Sequence, residues 1–322
     1  MLIEDARERI AKCINAEPNE IYFTSGGSEA NTWALSHHTS VSTKFEHHSV
    51  VANFNVVGVN KDGFVNTQSF SVINHRLSKL FELGSCMYVN NELGTIQPIK
   101  DIASIMHGKN MLFHTDAVQA VGHIPIDVKD LNCDMLSASA HKFGGPKGVG
   151  FLYAKNGTKL NPLINGGKQE FSKRGGTENI LGIISMATAL EDAVEHMKER
   201  NTHIKYLRDK LLNKLLQIPG SHLNGSLENR VPSNINIRFS GVSGARLVTL
   251  CSLYGVYISS GSACNEGISE PSHVLKATGL TDEEALSSIR ITIGHTNTEQ
   301  EIDQAAHIIA QLVERIRNDG EE

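Results

Sequence analysis

Five short β-rich segments punctuate the first two thirds of the chain: EIYFTSG before SEANTWALS, SCMYVNN before the segment around IKDIASIMH, then NMLFHTDA, CDMLSASAHK and VGFLYA. Strands that alternate with helical patterns build βαβ units, and the resulting parallel sheet is buried on both faces. This alternation predicts an α/β fold around a mostly parallel sheet. In such sheets functional groups collect beyond the carboxyl ends of the strands, where several polar clusters of this chain fall.

From Glu178 to about Ile218 the pattern turns helical, with Ile184, Ala187, Leu190, Val194 and Met197 spaced for one face, and Pro219-Gly220 stops it. The remainder carries the alternating strand NINIRFSG, a helix over ARLVTLCSLYG ended by Gly255, the strands VYIS and SIRITIG, and a terminal helix from about Glu299. These elements predict a smaller α+β domain. A chain of 322 residues is long enough for two domains. The expected division is a large domain over 1–197 and a small C-terminal domain over 198–322.

A net charge of -5 without a Lys/Arg cluster argues against a nucleic-acid surface, because binding phosphates requires clustered cations. No apolar run approaches the ~18 residues of a membrane span. The start, MLIEDARERIAKCI, reads as an amphipathic helix rather than a signal peptide. Five cysteines, at 13, 86, 133, 251 and 264, are odd in number and irregular in spacing, unlike a disulfide framework. A reducing, cytoplasmic setting is expected.

FTSGGSEAN follows a strand and opens a helix; its small residues let backbone N–H groups approach an anion where the helix dipole favours one. The competing reading is an ordinary tight turn with Ser28 as N-cap. In SASAHKFGGPKG, Lys142 stands just past a strand, as a Schiff-base lysine or as a solvated loop lysine. In LFHTDAVQ, Asp116 ends a strand, as a helix cap or as the carboxylate that keeps a pyridine nitrogen protonated. A phosphate cradle, a lysine and a carboxylate together make pyridoxal phosphate (PLP) the economical explanation.

These segments, with FEHHSV, VNNELGTIQPI, RGGTEN, SSGSACNEG, EPSHVL and SIRITIG, resemble in order the motifs of cysteine desulfurases of the NifS/IscS type, in the class-V aminotransferase family. The likeness is collinear from about Asp5 to the last helix. It implies the PLP-dependent transferase fold type I, with a large PLP-binding domain and a small domain carrying the cysteine loop. It also implies an enzyme that converts L-cysteine to L-alanine and leaves a persulfide on Cys264, feeding iron–sulfur cluster assembly or thiolation through a sulfur-acceptor or scaffold protein.

By the same resemblance, Lys142 is the Schiff-base lysine, Asp116 pairs with the pyridine nitrogen, and His47 stacks on the ring and moves protons. Asn91 and Gln119 bond around the ring oxygen, and Asn91 also faces substrate. Gly27, Ser28, Ser139 and His141 hold the phosphate, with Thr177 reaching across a homodimer. Arg290 takes the substrate carboxylate. Its strand supports this independently: Ile289, Ile291 and Ile293 share one face, so Arg290 lies on the other, where its fork fits a carboxylate.

His37-His38 and His47-His48 have no H-E-x-x-H or C-x-x-C partner set, so no metal is expected. Cys86, Cys133, Cys251 and Cys13 read as structural. The chain starts at the family's E-x-A-R helix, without the segment that precedes it in relatives, and SHHTSVSTK is compressed where relatives carry a longer helix and strand. The absent segment keeps open a catalytically impaired homologue acting as a binding or regulatory subunit; a selenocysteine lyase or other PLP enzyme is a further alternative.

Overall fold

The computed structural model describes residues 2–50, 52, 54–71, 81–260 and 270–319. Cys264 lies outside the described residues. The chain divides into two compact units: Met1–Gly58, Val65–Val89 and Gln97–Met197 form one, and Val59–Phe64, Asn90–Ile96 and Lys198–Glu322 the other.

The first unit is organised by seven strands: β1 Ile21–Thr24, β2 Ser40–Thr43, β3 Phe54–Val57, β4 Leu83–Ser85, β5 Leu112–Asp116, β6 Met135–Ser139 and β7 Gly150–Ala154. They lie in the order β1-β7-β6-β5-β4-β2-β3. β7 runs antiparallel to both of its neighbours, and the other pairings are parallel. The mostly parallel sheet is therefore as expected. β6 and β7 are buried along their whole length, which is why they read as near-continuous apolar runs. The Gly27–Leu35 helix packs Ala30, Trp33 and Ala34 with Leu83, Met135 and Leu152 in one apolar cluster. Trp33 Nε1 donates to the Asn161 carbonyl at 2.7 Å, so its indole is buried with its donor satisfied.

Three elements differ from expectation. The SHHTSVSTK segment, which no strand pattern marks, supplies β2, a fully buried strand between β4 and β3. β4 is Leu83–Ser85, ahead of most of SCMYVNN; past it, Cys86 and Tyr88 still donate to the His114 and Asp116 carbonyls before the chain turns away. The helix expected from Glu178 to Ile218 is two helices, Ile180–Glu195 and Met197–Leu215. His196, at φ -95° and ψ 5°, ends the first helix while its N–H still donates to the Asp192 carbonyl at 3.1 Å.

The second unit holds an antiparallel sheet of β8 Ser221–Leu223, β9 Asn234–Phe239, β10 Ser259–Ser260 and β11 Ser288–Thr292, in the order β10-β11-β9-β8. One apolar face of β9 and β11 (Ile235, Ile237, Ile289, Ile291) shares a core with Leu207 and Leu211 of the Met197–Leu215 helix, Leu247 of the Gly244–Leu253 helix, and Ile309 and Val313 of the Glu299–Asn318 helix. Truncating one such leucine to alanine costs about 2–5 kcal/mol. The strand expected over VYIS is shortened to its end. Gly255, at φ 77°, closes the preceding helix, and Val256 donates back to the Cys251 carbonyl at 3.0 Å, so its N–H is committed to the helix end instead of a ladder.

Candidate active site

The loop after β1 leads straight into the Gly27–Leu35 helix. Gly26 is the N-cap, at φ 151°, and no side chain caps the helix there. Ser28 is inside the first turn and exposed, so the alternative of Ser28 as N-cap fails. A Cβ on Gly27 would lie 2.5 Å from Val118 Cγ2, and one on Gly150 would lie 2.8 Å from the Gly26 Cα. Glycine is required where backbone passes this close. The first N–H groups of the helix thus stand uncapped by any side chain, at the end its dipole makes positive.

Asp116 ends β5 with its side chain buried. Its Oδ1 accepts the Val118 N–H at 3.0 Å and its Oδ2 the Asn31 amide at 2.7 Å. Burial pushes the carboxyl up, against the pull of those two bonds and of His47 and Lys142. Asn31 Nδ2 also donates to Ser49 Oγ at 2.9 Å, and Ser49 Oγ lies 2.7 Å from His47 Nδ1. The Ser49 N–H donates to the same ring nitrogen at 3.1 Å, which in the neutral ring places the proton on Nε2. The His47 ring is exposed. A hydrogen-bonded chain, Asp116–Asn31–Ser49–His47, therefore links two residues expected from the sequence through two that were not.

Ser139 ends β6, and its Oγ lies 3.0 Å from His141 Nδ1 in the tight turn Ala140–Lys142. Lys142 is exposed, and its carbonyl accepts from His123 Nε2 at 2.8 Å. Burial first, then the positive charges of Lys142 and Lys147, hold the His141 imidazole low, in its neutral form. Gln119 is half-buried on the turn after β5. Thr177 is exposed and lines a cleft with Ser25, Gly148, Glu170 and Arg174.

Asn91 and Arg290 belong to the second unit. Arg290 Nη1 donates to the Asn91 carbonyl at 3.0 Å, while Ile289, Ile291 and Ile293 are buried on the opposite face, as their alternation predicts. Asn91 Oδ1 is buried and has no hydrogen-bond partner among the described residues. Burial drives the thiols of Cys13 and Cys251 up to about 11 and that of Cys133 to about 12, so all three stay protonated and unreactive.

Two further buried groups flank the site. Glu46, next to His47, accepts at Oε1 from Thr43 Oγ1 and from the Met87 N–H, and burial raises its carboxyl to about 8. His114 lies between Ser85 Oγ and Ser137 Oγ, both at 2.9 Å, and burial lowers it to about 3.

Residues 1–305 match the aminotransferase class-V family. The chain belongs to that family. It is 43% identical to "Cysteine desulfurase IscS" of Clostridium botulinum over 97% of its own length and 83% of the relative's. It is 36% identical to "Cysteine desulfurase NifS" of Azotobacter vinelandii, over 99% and 83%. A solved "NifS-like protein" from Rickettsia africae superposes with a TM-score of 0.87 at 32% identity, covering 98% of this chain and 88% of that one. The class-V family is PLP-dependent, and the residues present fit the cofactor. Asp116 is a buried carboxylate whose two hydrogen bonds come from neutral donors, so a protonated pyridine nitrogen is the cation its burial calls for. The glycine cradle offers backbone N–H groups to a phosphate.

Asn31, Ser49, Glu29 and Arg174 are the site residues the sequence reading misses. Asn31 carried one signal: it lies four residues after Gly27, one helical turn along the face that opens on the cradle.

Proposed function

We propose that the chain is a PLP-dependent cysteine desulfurase that takes sulfur from L-cysteine, releases L-alanine and passes the sulfur from Cys264 to an acceptor protein for iron–sulfur cluster assembly or thiolation. The observation that carries this reading is the buried Asp116 tied through Asn31 and Ser49 to an exposed His47, in a chain 43% identical to a curated cysteine desulfurase.

Bound PLP supplies an electron sink that acidifies the α-carbon of an amino acid joined to it. Gly27, Ser28, Ser139 and His141 hold its phosphate, with Thr177 of a second copy completing the cradle. Asp116 keeps the pyridine nitrogen protonated, and Asn91 and Gln119 bond around the ring oxygen. His47 presents its ring as a stacking face and, with Nδ1 engaged by Ser49, exchanges a proton at Nε2. Arg290 takes the substrate carboxylate, leaving its Nη1 on the Asn91 carbonyl, so substrate and Asn91 share one anchor. Lys142 removes the α-proton. The Cys264 thiolate forms an S–S bond to the substrate sulfur as the C–S bond breaks; the electron pair stays with the β-carbon, which gains a proton, and Lys142 returns a proton to the α-carbon, so that alanine leaves.

The homodimer in this reading is supported by exposed Ile164, Phe171, Ile180 and Leu181 around the Thr177 segment, an apolar surface suited to a second copy. A cytoplasmic setting is supported by the five irregularly spaced thiols, and among the described residues no helix is long and apolar enough to cross a membrane.

The test is alanine release from L-cysteine by PLP-loaded protein with a reductant. Turnover is expected, with loss in Lys142→Ala; a loaded protein that releases no alanine refutes the reading.

A further inference from the structure

Glu29, in the first turn of the Gly27–Leu35 helix, performs two tasks at once. Its Oε2 accepts the Ser25 N–H at 2.8 Å, fixing the loop that forms the cradle. The same carboxylate takes Arg174 in a fork, Nε to Oε1 at 2.9 Å and Nη2 to Oε2 at 3.2 Å. The side chains are 12% and 22% exposed, shielded enough that solvent does not erase the interaction.

This placement sets up a conflict. A carboxylate in a first turn ordinarily complements the helix dipole, but here the same helix end is to receive a phosphate dianion. An uncompensated Glu29 would hold the loop in the right shape and repel the ligand that the shape is for.

We infer that Arg174 is a positioning residue for the cofactor phosphate, acting through Glu29: by cancelling the carboxylate charge it lets Glu29 clamp the cradle loop without repelling the anion. The inference rests on the reading that the cradle takes the phosphate of PLP.

The surrounding structure delivers Arg174 to this spot. Gly175 donates to the Ile164 carbonyl at 2.8 Å, and a Cβ on Gly175 would lie 2.6 Å from the Gly166 Cα, so the 164–166 and 174–176 segments, the two sides of one arm, pack backbone on backbone. At its tip, Glu170 turns inward at φ 46° and accepts from Arg7 Nη1 and Nη2 at 2.9 and 3.0 Å and from the Phe23 N–H at 2.8 Å. The arm is thus locked on both sides of Arg174. Other carboxylates face the same region: Glu170 acts electrostatically on Arg174, and Glu178 lines the adjoining cleft. Burial raises the Glu29 carboxyl, but the Arg174 and Ser25 bonds outweigh it and hold the group below its ordinary range, so the pair is ionised at neutral pH.

The decisive comparison is the affinity of the apo-protein for PLP and for pyridoxal, which has the same ring and aldehyde without the phosphate, measured by absorbance at low ionic strength. Arg174→Met is expected to weaken PLP about tenfold while leaving pyridoxal within about twofold, and raised salt should shrink the loss. Glu29→Gln keeps an acceptor for the Ser25 N–H without the charge, so Glu29→Gln/Arg174→Met should recover most of the PLP affinity. Arg174→Lys, which keeps the charge without the fork, should retain the PLP preference and guards against a misfolded Met variant. Equal losses for PLP and pyridoxal, or a double variant no better than Arg174→Met, would reduce the pair to a structural strut and overturn the inference. A wild-type apo-protein that binds PLP no more tightly than pyridoxal would overturn the phosphate assignment itself, whatever the variants do.

Discussion

Asn31 divides its side-chain amide between two acceptors, Asp116 Oδ2 at 2.7 Å and Ser49 Oγ at 2.9 Å, and so joins the carboxylate at the floor of the site to the exposed His47. It is 1% exposed, so truncating it leaves the buried Asp116 Oδ2 without that donor. Asn31→Ala should weaken PLP binding to the apo-protein by about tenfold, the value of a buried bond to a charged acceptor. Asn31→Asp should be worse, because a second carboxylate beside Asp116 drives one of the two to protonate. Absorbance titration with PLP checks both, and equal affinity in all three proteins would remove Asn31 from the site.

Glu46 predicts a pH dependence of stability. Its folded value near 8 stands above the ordinary 4.5, so between these values the folded state binds more protons than the unfolded one. Stability contributed by this group therefore falls as pH rises through that window, by at most about 1.4 kcal/mol per pH unit. Asp116, also raised by burial, acts in the same direction above its ordinary 3.8. Glu46→Gln should flatten the dependence of the melting midpoint across the window, and an unchanged slope would show that Glu46 ionises freely.

Arg7 and Glu170 form an ion pair with both side chains 3% exposed. Glu170→Leu leaves the buried guanidinium only the half-exposed Glu4 carboxylate, 3.3 Å away, and should cost about 3–5 kcal/mol in denaturant unfolding. The Arg7→Leu/Glu170→Leu double variant should recover much of that loss, because an apolar pair carries no desolvation penalty. Loss in the double variant equal to the sum of the single losses would mean that the two side chains act independently.

Much of this architecture is legible in the sequence because burial writes itself into composition. LFHTD, MLSAS and GFLYA are short runs bounded by turn residues, and they become β5, β6 and β7. The alternation of Ile289, Ile291 and Ile293 places Arg290 on the other face, where it bonds the Asn91 carbonyl. β2 is not legible: SVST has a single large apolar residue, and its burial comes from neighbours β3 and β4, which no local pattern connects to it. The Asn31–Ser49 link is hidden for the same reason, since an asparagine inside a helix pattern gives no sign of a partner 18 positions away. Glu29 and Arg174 are 145 residues apart, beyond any local periodicity.

The measurement closest to the central claim is mass spectrometry of the PLP-loaded protein after exposure to L-cysteine without reductant, with alanine quantified in the same sample. One added sulfur atom on Cys264, matched mole for mole by alanine and absent from Cys13, Cys86, Cys133 and Cys251, is the predicted result. Alanine formed without sulfur on Cys264, or sulfur carried on one of those other thiols instead, would contradict it.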